Sequence, residues 1–323
     1  MFVVDLHCDA LWNVYKNAKD GNDVSLTKNH FHVDFEKLKK GKVAIQCFAL
    51  FNIPQESQPF KSANVMIDYL ERDVKGRDDV KIVHSYKDIE KNISDGVTSA
   101  LITMEDAFMI ERDYSKLQAL YERGLRMICL NHNVVNGVGH PNLTFSNGKT
   151  NWQCRNEERG LTDFGFELVK KMNDMGVIVD VSHLSDKGFY DVIKTTTKPI
   201  IASHSNACGV TDVPRNLTDD MLKKLADNGG VTGMCFAPKF LDSDEEKGRD
   251  AIACVLRHVD YIKKLIGVDY VALGSDFDGV DLDIDCSFYP DLIKAFIEHG
   301  YKDSEIEKIC YANALRVFKA NLK

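Results

Sequence analysis

Six short polar clusters in this chain each follow an apolar run, and together they hold the residue types that bind metals. They are His7-Cys8-Asp9, Glu105-Asp106, Asn131-His132, Ser182-His183, Ser203-His204 and Ser275-Asp276. Four of the ten histidines fall in them. Imidazole nitrogen with Asp and Glu oxygen is the donor set of catalytic zinc, which also needs a coordination position left open for water. A carboxylate such as Glu105 can bridge two metals through its two oxygens. Two metals roughly 3.5 Å apart lower the pKa of a shared water and clamp the oxygen of a reacting carbonyl.

Taken singly, each cluster has an ordinary reading. A lone His-x-Asp is more often structural than a ligand pair, and a His that closes a strand often serves only as a hydrogen-bonding group. His7 and Asp9 point the same way if both lie on a strand, because strand side chains alternate. Cys8 then faces the other side and reads as packing. Asp106, the neighbour of Glu105, reads as structural for the same reason. His140, His258 and His299 fall in loop or helix contexts and are expected to be ordinary polar residues. What carries weight is six clusters at six equivalent places.

Those places are the ends of buried strands. Eight apolar runs recur along the chain: Phe2–Leu6, Val43–Phe48, Ala100–Met104, Arg126–Leu130, Val177–Val181, Ile200–Ser203, Val231–Phe236 and Val271–Gly274. Helical patterns separate them. Ile252, Val255, Leu256, Val259, Ile262 and Ile266 form one apolar helical face. Glu167–Met175 stops at Gly176, Thr218 caps a helix before Met221, and Ser304-Glu305-Ile306-Glu307 has the form of a capping box opening the last helix. Eight β-then-α units in 323 residues predict an α/β fold of the (β/α)8 (TIM) barrel type, a single domain over 1–323. A doubly wound sheet with fewer strands is the competing architecture. In a barrel, strand C-termini share one rim, so distant clusters meet there. The longest expected loop, about 133–160, holds Pro141 and Trp152, follows the fourth strand and is a candidate lid or substrate wall.

Composition narrows the class. The chain is 44% hydrophobic and 28% charged with a formal charge of −8, an ordinary globular balance. Its acidity argues against a nucleic-acid or anionic-membrane surface. No basic n-region opens the chain and no apolar run approaches the ~18 residues of a membrane span, so neither a signal peptide nor a membrane segment is expected. Nine cysteines, without a Cys-x-x-Cys pair, suggest reduced thiols and a cytoplasmic protein.

The chain resembles the membrane (renal) dipeptidase family of the amidohydrolase superfamily, in the form of a soluble bacterial-type member. The resemblance spans nearly the whole length. It rests on Asp5-Leu6-His7-Cys8-Asp9, Gly160-Leu161-Thr162-Asp163-Phe164-Gly165, Gly176 to His183, Ala202-Ser203-His204-Ser205, Pro214-Arg215-Asn216-Leu217, Gly274 to Val280, Tyr289 to Ile293 and Asn313 to Phe318. It implies a barrel with two Zn2+: His7 and Asp9 on one ion, His183 and His204 on the other, Glu105 between them. It further implies that His132 contacts the substrate carbonyl and its tetrahedral intermediate, that Arg215 binds the substrate carboxylate, and that Asp276 holds the free amine and handles the proton. One departure stands out: where the family carries an aromatic after the seventh strand, usually Tyr, this chain has Ala237, which puts the shape of the carboxylate pocket in question.

The resulting expectation is a binuclear zinc dipeptidase acting on small dipeptides, including those with a C-terminal D-residue. Neither nucleic acid nor membrane is expected as a partner, and a homodimer is the default assembly. Two other readings stay open: a related amidohydrolase acting on an N-acyl amino acid, lactone or phosphoester, and a catalytically idle metal-binding barrel.

Overall fold

The computed structural model describes residues 1–146 and 149–323, without the side chains of 145–150, 152 and 153. Eight parallel strands close into a barrel: β1 Val3–Cys8, β2 Val43–Phe51, β3 Thr98–Glu105, β4 Leu125–Cys129, β5 Ile178–Asp180, β6 Ile201–Ala202, β7 Val231–Met234 and β8 Val271–Leu273. Each strand pairs with the next in sequence, and β8 returns to β1 with Asp5 opposite Leu273. This is the expected barrel rather than an open sheet.

Closure follows from where the apolar residues lie. One buried cluster takes a residue from every strand: Val4, Ile45, Leu101, Met127, Ile178, Ile201, Val231 and Ala272. A cluster shared by all eight strands must lie on the barrel axis. Ala314, Val317 and Phe318 of the last helix, Asn313–Asn321, join it. A second, larger cluster joins the outer strand faces to the helices, including Ala251, Cys254, Val255, Val259 and Ile262 of the helix Ala251–Ile266. The small β6 is only two residues long, which its buried surroundings on both sides allow.

The structure adds two elements. A three-residue strand, Val80–Ile82, pairs with β3 outside the barrel. The loop after β4 carries an antiparallel hairpin, Leu143–Ser146 with Lys149–Arg155, where a loop without strands was expected. Trp152, a proposed part of the substrate wall, has its side chain outside the described residues. The last helical segment also starts earlier than its sequence signal: it begins at Asp303, and Glu305 accepts from the backbone N–H of Lys302 at 3.1 Å, so the helix is capped there by Glu305 and no capping box opens at Ser304.

Candidate metal centre

All six clusters reach the same end of the barrel. On β3 alternate residues share a face, so Glu105 continues the inward row of Leu101 and Thr103. Its Oε1 lies 3.0 Å from His183 Nε2, 3.4 Å from His204 Nε2 and 3.7 Å from His7 Nε2. The two imidazole nitrogens of His183 and His204 are themselves 2.9 Å apart. His7 Nε2 is 3.3 Å from Asp9 Oδ2 and 3.8 Å from Asp276 Oδ1. Among the described residues three overlapping triads have donor atoms close enough to share an ion: His7, Glu105 and His204; Glu105, His132 and His183; His7, Asp9 and Asp276.

The backbone at these points departs from regular strand. Asp9 lies one residue beyond β1, at the N-cap of helix Ala10–Lys19, so it meets His7 through the turn rather than by strand alternation. His183 and Asp276 both have φ of +66°. Such left-handed conformations in non-glycine residues cluster at functional sites, where surrounding structure sustains the strain.

Orientation of the imidazoles is set from behind. The Asn133 amide oxygen accepts from His183 Nδ1–H at 2.8 Å, which directs the Nε2 lone pair of His183 toward Glu105. The same amide donates from Nδ2 to His132 Nε2 at 3.2 Å. Ser203 Oγ donates to Asp180 Oδ2 at 2.5 Å and meets His204 Nδ1 at 2.7 Å, so the histidine carries its proton on Nδ1 and offers Nε2 inward. Partners of this kind fix tautomer and ring orientation at metal sites. Burial, together with the positive charge of Arg215, pushes His183 well below the usual imidazole range. Burial and the positive charge of His7 do the same to His204. Both are therefore neutral donors. Around His7 the balance is reversed: burial alone would lower it, but Glu105 and Asp9 raise it to about 10. The carboxylates thus call for a cation at this spot.

A metal fits this donor set. Asp9 Oδ1 is buried and has no hydrogen-bond partner, a cost that coordination would relieve. Imidazole nitrogen and carboxylate oxygen suit zinc.

The centre opens into a cavity of about 310 Å³. Asp9, Glu105, His132, His183, Arg215 and Asp276 all line it. Arg215 is 98% buried, yet among the described residues it donates only to Ser205 Oγ at 3.3 Å and His204 O at 3.1 Å, and its Nε has no partner there. Among the described residues no carboxylate lies within ion-pair distance of it. Burial raises Asp276 to about 6, against the opposing pull of His7, and lowers His132 to about 4.

The sequence model of the membrane dipeptidase family (peptidase family M19) matches residues 1–323. The chain belongs to this family. Membership makes it a hydrolase of the metal-dependent dipeptidase type. An uncharacterized dipeptidase of Schizosaccharomyces pombe is 32% identical over 306 residues, covering 89% of this chain and 72% of that protein. A crystal structure of the metallopeptidase dipeptidase AC of family M19 superposes with TM-score 0.86 at 30% identity, covering 100% of this chain and 99% of the other. A metallopeptidase of Rhodobacter sphaeroides, solved with a phosphinate mimic of the dipeptide L-Ala-D-Ala, has TM-score 0.86 at 28% identity, with 99% of each chain covered.

In this family member, then, all eight residues singled out from sequence gather in one place. The remaining candidates do not join them. Cys8 is buried in the core. Asp106 accepts from the backbone N–H of Phe108 and His132, so it shapes the loop that carries His132. His140, His258 and His299 each bond elsewhere. Ala237 is buried beside Cys235 and Phe240 and caps the short helix Pro238–Leu241. The cavity is lined there by Lys239 and Phe240, and the Arg215 guanidinium sits 5.4 Å from the Phe240 ring centroid. Sequence reading assigned no role to Asn133, Lys239, Phe240 and the wall residues Trp12 and Phe51, and none to Ser203 although it stands in one of the six clusters. Only Asn133 and Ser203 carried a signal, as polar neighbours of motif histidines.

Proposed function

We propose that this protein is a binuclear zinc dipeptidase, working as one barrel domain over 1–323 in the cytoplasm. The observation that carries the reading is a buried Arg215 with no carboxylate at ion-pair distance among the described residues, in the same cavity as the His7–Asp9–Glu105–His183–His204 donor set. His7 and Asp9 would hold one ion, His183 and His204 the second, and Glu105 both. When bound, the metals supply an activated water and polarise the scissile carbonyl.

The chain's own groups do the rest. Arg215 presents a rigid fork of donors to the free carboxylate of the substrate. Asp276 binds the free amine, accepts the proton released on attack and passes it to the leaving nitrogen. His132, neutral at working pH, donates one N–H toward charge that develops on the carbonyl oxygen. Fixing both ends of a two-residue substrate explains why longer peptides would be excluded. Dipeptides ending in a D-residue belong in the proposed range, supported by the mimic bound to the Rhodobacter relative. The reduced thiols suggested by composition stay in the reading of location: nine free cysteines, seven of them buried. A homodimer is the proposed assembly.

The test is metal removal. Hydrolysis of dipeptides should vanish with a chelator and return with zinc, at two zinc ions per chain. Activity indifferent to chelation, or absent in both states, would overturn the proposal. Matched N-acyl amino acids separate the second reading, a related amidohydrolase favoured by the Ala237 departure, because only a dipeptidase needs the free amine.

A further inference from the structure

A second arginine is built around the backbone that carries Arg215. Arg155 closes the hairpin strand Lys149–Arg155, and only 14% of its side chain is exposed. Its Nη2 donates to Val213 O at 2.9 Å and to Asn216 O at 3.3 Å, and its Nη1 donates to Asn216 O at 3.2 Å. These two carbonyls bracket Arg215. Asn216 N–H donates to Val213 O at 3.0 Å, so Val213–Asn216 is a four-residue turn with Pro214 and Arg215 at its centre. Arg155 thus holds both ends of the turn that bears Arg215.

Arg215 depends on that turn for its aim. Among the described residues its guanidinium donates only to two neutral acceptors, Ser205 Oγ and His204 O. The backbone behind it must therefore set its position, and an error of about 1 Å is enough to spoil a paired contact to a carboxylate. Arg155 is in turn fixed by Asp186, whose Oδ1 lies 3.1 Å from Nη1 in the first turn of the helix Asp186–Thr195. Cys208 Sγ accepts from the same Nη2 and donates to Asn216 O at 3.0 Å. A planar fork can straddle two carbonyls and a carboxylate at once; a lysine ammonium would keep the charge opposite Asp186 without spanning both carbonyls. Arg155 is not among the described residues that line the cavity, so it acts through Arg215 and not on the substrate.

We propose that Arg155 is a positioning residue for substrate recognition: it clamps the turn Val213–Asn216 so that Arg215 meets the free carboxylate of a dipeptide. The inference rests on the dipeptidase reading and goes beyond it, because it makes the end of the hairpin after β4 a working part of a site assembled on the segment after β6.

The experiment measures kcat and KM of the zinc-loaded protein on Ala-Ala and on its C-terminal amide, which offers no carboxylate. Arg155→Lys should raise KM for Ala-Ala about tenfold with kcat within about twofold, the pattern of lost uniform binding, and should leave KM for the amide in place. Added to Arg215→Met, Arg155→Lys should cost nothing more on Ala-Ala, since the two residues act as one unit. Asp186→Asn, which removes the charge that holds the fork, should shift the same split in the same direction by about threefold, and it decides the question if Arg155→Lys does not fold. An unchanged KM for Ala-Ala, equal losses on dipeptide and amide, or an additive loss in the double variant would overturn the inference while hydrolysis by the unaltered protein keeps the dipeptidase reading. Failure of the unaltered protein to cleave any dipeptide would overturn both.

Discussion

At the scale of single residues, the site is a set of buried groups whose ordinary partners are withheld. Arg215 shows this most directly, because burying a guanidinium without a carboxylate costs free energy that a substrate carboxylate would return. Replacing it should therefore damage binding without unfolding the chain. Arg215→Met is expected to raise KM for dipeptides by roughly ten- to a hundredfold, the worth of about 1.5–3 kcal/mol of charged hydrogen bonds. Dipeptide amides, which offer no carboxylate, should lose far less. Equal losses on both substrate types would show that Arg215 reads something else. Asn133 acts one step back, since one amide holds the tautomers of both His183 and His132. Asn133→Ala should weaken metal affinity by roughly ten- to a hundredfold, measured by competition with a chromophoric chelator. Unchanged affinity would reduce Asn133 to a filler of the loop.

At the scale of elements, strand ends and the turns just beyond them place these groups. Gly279, after β8, marks how tightly. Any Cβ there must displace the Asp9 and Asp276 carboxylates, which are mobile side-chain ends, so the fold should survive. Gly279→Ala is expected to keep its circular dichroism spectrum and lose roughly a hundredfold in kcat/KM, the cost of shifting reacting groups by about 1 Å. An active variant would mean the two carboxylates need no fixed placement. The shared segment around Thr162 also has an architectural role. Thr162 caps the helix Asp163–Met175 by accepting from Gly165 N–H, and its Oγ donates to Gly137 O, tying the helix to the loop after β4. Much of this was legible in the sequence for a physical reason. Parallel barrel strands are buried on both faces, so they read as apolar runs, and their polar ends stand out. Gly176 at φ +78° and the Thr218 cap to Met221 N–H were legible too, because local backbone chemistry decides them. The strand Val80–Ile82 was not: its three residues include the exposed Lys81 and lie outside the barrel. Nor was the hairpin, whose polar Lys149–Arg155 strand lacks an apolar alternation. Asn133 and Ser203 stayed hidden because a single chain does not distinguish a polar residue that orients a histidine from one that meets water.

At the scale of the whole molecule, the barrel that presents the site must stay closed around it, and one histidine outside the metal-binding set reports on that closure. His258 is fully buried on the helix Ala251–Ile266. Its Nδ1 accepts from Ala207 N–H at 3.2 Å and its Nε2 donates to Leu241 O at 3.1 Å. It thereby joins the outer helix to the segments that follow β6 and β7, the same segments that carry Arg215 and Lys239. The bond from Ala207 requires the neutral ring, because a protonated Nδ1 has no lone pair left to accept with. Burial holds its pKa down at about 4, against 6.5 for the free group. Between those values the unfolded chain binds a proton that the folded chain refuses, so stability falls as pH falls through this window and is unaffected by this group above it. The difference of about 2.5 units corresponds to roughly 3 kcal/mol, fully lost below pH 4. His258→Asn keeps an acceptor for Ala207 N–H and has no proton to gain. It should be less stable than the unaltered protein at pH 7, having lost the bond to Leu241, and should gain on it by roughly 3 kcal/mol as pH falls to 4. Urea unfolding of both proteins across this range measures the gap. Acid also protonates the His and carboxylate groups of the metal-binding set in both proteins alike, so the difference between the two curves isolates His258. Parallel curves would show that its ring takes up a proton in the folded barrel as readily as in the unfolded chain and that the bond from Ala207 does not hold it neutral.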